Sequence, residues 1–327
     1  MNRKTAGAIL AAALALASSG AAHAQTYPSR SIILIAPFAA GGPSDVVARI
    51  VGEHMSRTLG QAITIENVVG AGGTTGSSRA MRANPDGYTI QIGHMGTHAV
   101  SVALYPNLPY KPDIDFEPIG LVVEQPMIIL ARKDFPPADL KEFVAYVKAN
   151  VEKVNAAHSG VGSLSFTYCL LLHSIIGVRP TSVPFGGGAP AMNALIGGQV
   201  DYFCEAISNV VPQVQSGTIK AYAIGSAERS PTLPAVPTAK EAGLPQFQAS
   251  AWYALFAPKG TPRPILDKLT DALDRALSDA SVRKRLIELG CDIPEKAGRG
   301  REPLAALVKR DIALWTPIIK AANIKGE

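Results

Sequence analysis

The sequence is poor in cysteine and in aromatic residues, and it has no long apolar run beyond its first two dozen positions. Cys169, Cys204 and Cys291 are the only cysteines in 327 residues. Their spacing matches no metal-ligand pattern. Three buried thiols are expected, and Cys169–Cys204 is the one pair that could form a disulfide in an oxidising compartment. Aromatics make up 6% of the chain. With no Lys/Arg run after the first residues, this argues against a nucleic-acid surface. No later segment supplies the roughly 20 unbroken apolar residues of a transmembrane helix. The glycine-rich loop Gly70–Gly76 has neither the G-x-G-x-x-G spacing nor the Gly-Lys-Ser/Thr end of a phosphate loop, so no nucleotide is expected there. His94 and His98 flank Met-Gly-Thr rather than lying on a helix with a Glu between them, which argues against zinc. No metal or cofactor is expected. Low-complexity tracts and a fixed-period repeat are also missing.

What is present begins with a leader. Met1-Asn2-Arg3-Lys4 is basic, the following run to about Ala17 is rich in Ala and Leu, and Ala22-His23-Ala24 closes it. This is the order of a secretory signal peptide, with cleavage expected after Ala24. The mature chain does not begin with a cysteine, so no lipid anchor is expected. Loss of Arg3 and Lys4 takes the formal net charge from +5 to +3. That mild excess suits an anionic small molecule. About 300 residues remain, enough for two domains.

The mature chain is organised around Phe38–Asp45 and the helix it opens. Ser31–Ala36 reads as a buried strand, and Val47, Ile50, Val51, Met55 and Leu59 recur at helical spacing until Gly60. A helix N-terminus after a glycine turn presents free N–H groups and the positive end of a dipole, which suit an anion. The same pattern also serves as a plain strand-to-helix turn without a ligand.

Short apolar strands alternate with periodic helices throughout, which predicts an α/β fold with mainly parallel sheets. Strands are expected at 62–67, 88–93, 119–123, 127–131, 154–158, 181–185, 200–204, 220–224 and 252–257. Helices are expected up to Met81 and over 140–149, 164–176, 189–196, 264–279 and 303–323. The segments 105–118 and 233–247 read as surface loops. The strand–loop–helix device recurs at Ser159–Ser163, so the chain has one such turn in each half. Two crossings, near 119–131 and 252–257, join the halves. Together these describe a cleft able to close by hinge motion.

Several residues at these loops carry two readings. His94 is either a ligand hydrogen bonder or a surface or hinge histidine. Ser163 sits in Gly-Val-Gly-Ser-Leu, which is not G-x-S-x-G. It either contacts a carboxylate or caps its helix. Asp45 and Glu205 either meet an ammonium or hydroxyl or serve structure alone. No Arg lies within these loops, so carboxylate binding would rest on backbone N–H groups, hydroxyls and dipoles.

The ordered segments PFAAGGPSD (37–45), GAGGTTGSSRA (70–80), NPDGYT (84–89), DFEPIG (115–120), SGVGS (159–163), VPFGGGAPA (183–191) and GGQVD (197–201) resemble the periplasmic solute receptors of tripartite tricarboxylate transporters, the Bug receptors. The resemblance continues through 231–247 and 259–269. It implies a type II periplasmic-binding-protein fold, with residues 25–121 and 256–327 in one lobe and 122–255 in the other. It further implies a monomer in the periplasm that does no chemistry, captures a small organic anion and passes it to a membrane permease. Phe38, Ala39, Ala40, Gly41, Gly42, Ser44 and Asp45 in one lobe and Ser159, Gly160, Val161, Gly162 and Ser163 in the other would grip a carboxylate. His94, Gly96, Thr97, Phe185, Gly186, Gly187 and Glu205 would complete the cleft. Phe185-Gly186-Gly187 replaces a frequent Tyr-Lys/Arg-Gly, and Glu205 replaces a common Asp, which leaves the ligand open. A di- or tricarboxylate, an aromatic acid, an amino acid or a nicotinate-like compound all remain, beside the separate reading of an exported two-lobed enzyme such as a transferase.

Overall fold

The computed structural model describes residues 27–321, so the expected leader lies outside the described residues. Its nine strands form one path in the order β2-β1-β3-β9-β4-β7-β5-β6, with β8 on β4. In the first half, β1 (Ile32–Ala36) pairs in parallel with β2 (Ile63–Asn67) and β3 (Thr89–His94). In the second half, β5 (Asn155–His158) pairs in parallel with β6 (Thr181–Pro184) and β7 (Tyr202–Ala206). Two antiparallel strands join the halves, β4 (Phe116–Arg132) and β9 (Ser250–Pro258).

Strand β4 pairs with β9 from Phe116 to Pro126 and then, from Met127 onward, with β7 and with β8 (Ile219–Ile224). The strands expected separately at 119–123 and 127–131 are therefore one strand of 17 residues. Pro118, which has no N–H to give a ladder, sits beside a shift in register, where that loss is tolerated.

Side chains alternate about the second half of β4. Ile129 joins one buried cluster with Cys204 and Leu172, while Ile128 and Leu130 join another with Phe203 and Leu195. Both faces are thus covered, as a mixed sheet between helices requires. Cys169, Cys204 and Cys291 are buried free thiols, so no Cys169–Cys204 disulfide is present.

Helix α1 (Pro43–Leu59) buries Val47, Ile50, Val51 and Met55 on the first half and stops at Gly60 in a left-handed conformation. Helix α2 (Thr74–Met81) follows β2, and a π-helical turn, Gly96–Val100, runs from β3 into the short α3 (Ser101–Leu104). The second half carries α4 (Leu140–Ala149), α5 (Leu164–Ile176), α6 (Gly188–Ile196) and the single turn α7 (Val211–Gln215). After β9 come α8 (Arg263–Ser278), α9 (Ala280–Glu288) and α10 (Arg301–Ala321). Asp279 ends α8 and caps α9 through the Ser281 and Val282 amides. No helix among the described residues is long and apolar enough to cross a membrane.

Candidate functional site

The loop after β1 is shaped by one carboxylate. Asp45 accepts hydrogen bonds from the Gly41 amide at 2.9 Å, from Arg49 at 2.8 and 2.9 Å, and from Asn67 at 3.0 Å. Asn67 also donates to the Phe38 carbonyl at 2.9 Å. Burial alone would raise the Asp45 pKa, but the bonds from Arg49, Gly41 and Asn67 outweigh it and hold the carboxyl below its ordinary value. Asp45 therefore caps no amide of its own helix; it braces the turn from the side. The amides of Ser44 and Asp45 make no hydrogen bond within the described residues. Pro43 contributes no N–H at all.

The second turn is built the same way after β5. Ser163 is the N-cap of α5, accepting from the Phe166 amide at 3.2 Å, and its Oγ lies 3.1 Å from Ser165 Oγ. Ser165 Oγ accepts from the Ser159 amide at 2.9 Å. The Leu164 and Ser165 amides are left over among the described residues. Gly160 and Gly162 have φ of +96° and +88°, which a side chain would strain.

These two turns meet. Ser44, Ser159, Ser163, Phe38, His94, Glu205 and Tyr253 line a common void of about 20 Å³, room for roughly one water. His94 and Tyr253 lie directly opposite each other in the β3–β9 register. The His94 ring stacks on Phe38 with centroids 5.1 Å apart. Burial lowers the His94 pKa to about 3, so the ring is neutral. Its Nδ1 accepts from the Thr97 amide at 3.3 Å, which leaves the proton on Nε2. Burial raises Glu205 to about 7, against the opposing bonds from the Ala206 amide and Asn209. No Lys or Arg is among the described residues lining this void.

A second cavity of about 350 Å³ adjoins it, with Phe38 and Ser159 as shared walls. Gly160, Val161, Phe185 and Gly186 line it from the second half and Val69, Gly73 and Tyr105 from the first. The remaining expected residues line neither. Ala39 donates its amide to the Gly186 carbonyl at 3.1 Å. A Cβ on Gly187 would fall 2.9 Å from the Ala39 nitrogen, and one on Gly96 2.5 Å from the Gly162 carbonyl oxygen. A Cβ on Gly42 would lie 3.4 Å from the Gly188 nitrogen. These glycines let backbone meet backbone between the halves. Thr97 positions His94, Gly41 bonds to Asp45, and Ala40 is exposed.

Tyr253, Ser165 and Tyr105 carry parts of the site that the sequence reading did not assign. Tyr253 was legible only as part of an apolar crossing strand, and Tyr105 as part of a loop. Among the described residues no group of three or more His, Cys, Asp or Glu could hold a metal.

The model of the tripartite tricarboxylate transporter family receptor matches residues 47–324. A curated relative from Agrobacterium vitis, the UPF0065 protein in the TAR-I ttuE-ttuC' intergenic region, is 45% identical over 265 residues, 81% of this chain and 76% of that protein. Among solved structures, MatC from Rhodopseudomonas palustris with bound malate is 50% identical, with a TM-score of 0.88, covering 90% of this chain and all of that one. The periplasmic binding protein BugD is 43% identical, with a TM-score of 0.89, covering 92% of this chain and all of that one. The matching family is one of receptors rather than enzymes, and the two-lobed binding-protein fold of the solved structures is the fold described above. The chain belongs to the receptor family of the tripartite tricarboxylate transporters.

Proposed function

We propose that this receptor works in the periplasm, closes its two lobes over a small dicarboxylate of the malate class, and presents the closed form to a membrane permease. The signal-peptide pattern of residues 1–24 supports export. The observation that carries the ligand reading is the meeting of two helix N-termini at one void, with the amides of Ser44 on one side and of Leu164 and Ser165 on the other unpaired among the described residues. Such amides recognise a carboxylate without a basic side chain. MatC, half identical to this chain, is seen with malate.

The lobe division we favour is 27–126 with 250–321 against 127–249. It is supported by the exchange of partners along β4 between Pro126 and Met127. A void of about 20 Å³ is too small for a four-carbon acid, so entry requires the lobes to part. The ligand's first carboxylate would sit between the two helix ends, and its remainder would point past Phe38 toward the larger cavity.

Thermal shift with L-malate, succinate, citrate, aromatic acids, aspartate and nicotinate tests this reading. A ligand that binds only the folded state raises the melting temperature. The expected result is a rise with L-malate or succinate. A response confined to aspartate or nicotinate would move the assignment to those classes, and a flat panel would remove it.

A further inference from the structure

We propose that Glu205 takes up a proton when the receptor closes on a dicarboxylate, so that capture of the anion is coupled to protonation of this one buried acid. The proposal rests on the dicarboxylate reading above. Glu205, the penultimate residue of β7, is 3% exposed and faces the same void as Ser44 and Ser163. Its Oε1 accepts from the Ala206 amide at 2.7 Å and its Oε2 lies 3.5 Å from Asn209 Nδ2. Neither partner carries a charge.

The elements packed around it supply no cation. On β3, His94 is neutral because it is buried. On β9, burial holds Tyr253 as a phenol, and on β7 it holds neighbouring Cys204 as a thiol. Helix α1 contributes Pro43 and Ser44, helix α6 contributes Gly188, and the turn after β7 contributes Asn209. Asp45 and Arg49 are committed to each other. Among the described residues, the positive features at the void are the partial charges of helix N-termini: that of α6, which meets Glu205 at Gly188, and those of α1 and α5, which line the same void.

A ligand carboxylate set on the unpaired α1 and α5 amides comes to lie in the same void as Glu205. Two carboxylates then share a site that closure makes nearly dry, and one of them must be neutral. With the lobes together, burial outweighs the bonds from Ala206 and Asn209 and brings Glu205 to about 7, and the arriving anion carries it higher. One proton leaves the buffer and joins a Glu205 carboxylate oxygen. No bond to the ligand is made or broken. The new O–H becomes a donor to the ligand, so a group that would repel the anion becomes one that holds it.

Titration calorimetry of succinate and L-malate in buffers of differing ionisation enthalpy, at pH 6 and pH 8, tests the proposal on the unmodified protein. Expected is uptake approaching one proton per ligand at pH 8. Affinity should fall as pH rises from 6 to 8, by up to about tenfold per pH unit where a full proton is taken up. In Glu205→Gln the uptake disappears and the affinities at the two pH values converge. Binding of either acid at pH 8 without proton uptake overturns the proposal while leaving the dicarboxylate reading intact. Uptake that persists in Glu205→Gln overturns it too, by moving the proton to another group. If neither acid binds at either pH, the dicarboxylate reading itself fails and takes this coupling with it.

Discussion

Gly72 and Val161 meet across the cleft with no room for a side chain between them. A Cβ on Gly72 would lie 1.6 Å from the Val161 carbonyl oxygen, and the φ of Gly72 is +60°. One residue belongs to the loop before α2 and the other to the turn before α5, so under the lobe closure proposed above this contact exists only when the lobes are together. Gly72→Ala should therefore act on closure far more than on folding. The left-handed backbone costs an alanine about 1–2 kcal/mol, a few degrees of melting temperature in a chain of this size. The blocked approach should weaken L-malate binding by about a hundredfold, roughly 2.7 kcal/mol. Calorimetry beside small-angle scattering checks both halves. If the variant still compacts on adding L-malate and keeps its affinity, the contact is not part of closure.

Tyr105 guards the same contact. Its hydroxyl lies 2.5 Å from the Val161 carbonyl and 3.0 Å from that of Ala71, one on each side of the cleft. Tyr105→Phe removes a hydrogen bond and leaves the ring in place. With a net value of about 0.5–1.5 kcal/mol for such a bond, the dissociation constant for L-malate should rise roughly three- to tenfold. The change should fall on the dissociation rate, because the bond forms only after the lobes have met. Stopped-flow release of L-malate with an unaltered dissociation rate would argue that the hydroxyl does not latch the closed form.

The three thiols give a test of the core. Cys204 is fully buried, and its pKa is pushed well up by burial and by Cys169 beside it. Burial likewise raises Cys291, to about 12. A protonated, enclosed thiol reacts poorly. An aromatic disulfide reagent should label almost none of them in the folded protein and all three in denaturant. A count of one in denaturant without reductant would mean that Cys169 and Cys204 are joined.

Much of this architecture is legible in the sequence because its signals are local. The apolar run Ile32–Ala36, the periodic residues of α1 and the stop at Gly60 each depend on neighbours a few positions away. The two amide-bearing turns are legible for the same reason. Helix α9 is not, because it buries only Val282 and Leu286 and shares its cap residue, Asp279, with the end of α8. The single long β4 is not legible either, since its continuity comes from exchanging one set of partners for another. The role of Asp45 was open between cap and ligand contact. Of its partners, Gly41 and Arg49 lie four positions away, but Asn67 lies 22 positions away on the next strand, a distance no local pattern reports. Tyr253 reaches the void through register with His94 across 159 residues of chain, and periodicity within β9 shows only that it is buried.

Asp45 also gives a prediction with a definite pH dependence. Its side chain is 3% exposed and carries charged hydrogen bonds to Arg49, with further bonds to Gly41 and Asn67. Its folded pKa lies below the ordinary 3.8. A carboxylate depressed on folding stabilises the native state above its unfolded pKa, and that contribution is lost as pH falls through the folded value. Asp45→Asn should therefore lose about 1–3 kcal/mol at pH 7, since it keeps the shape but not the charge that Arg49 answers. Below about pH 4 the wild-type carboxylate begins to protonate, and the two proteins should converge. Urea unfolding at pH 7 and at successive steps below pH 4, with equal slopes for both proteins, measures the gap directly. A gap as wide at pH 2.5 as at pH 7 would mean that the ionised carboxylate is not what holds the turn. A gap that closes would identify the brace that holds the turn carrying Ser44 at the void, and the same variant should then bind L-malate more weakly at pH 7.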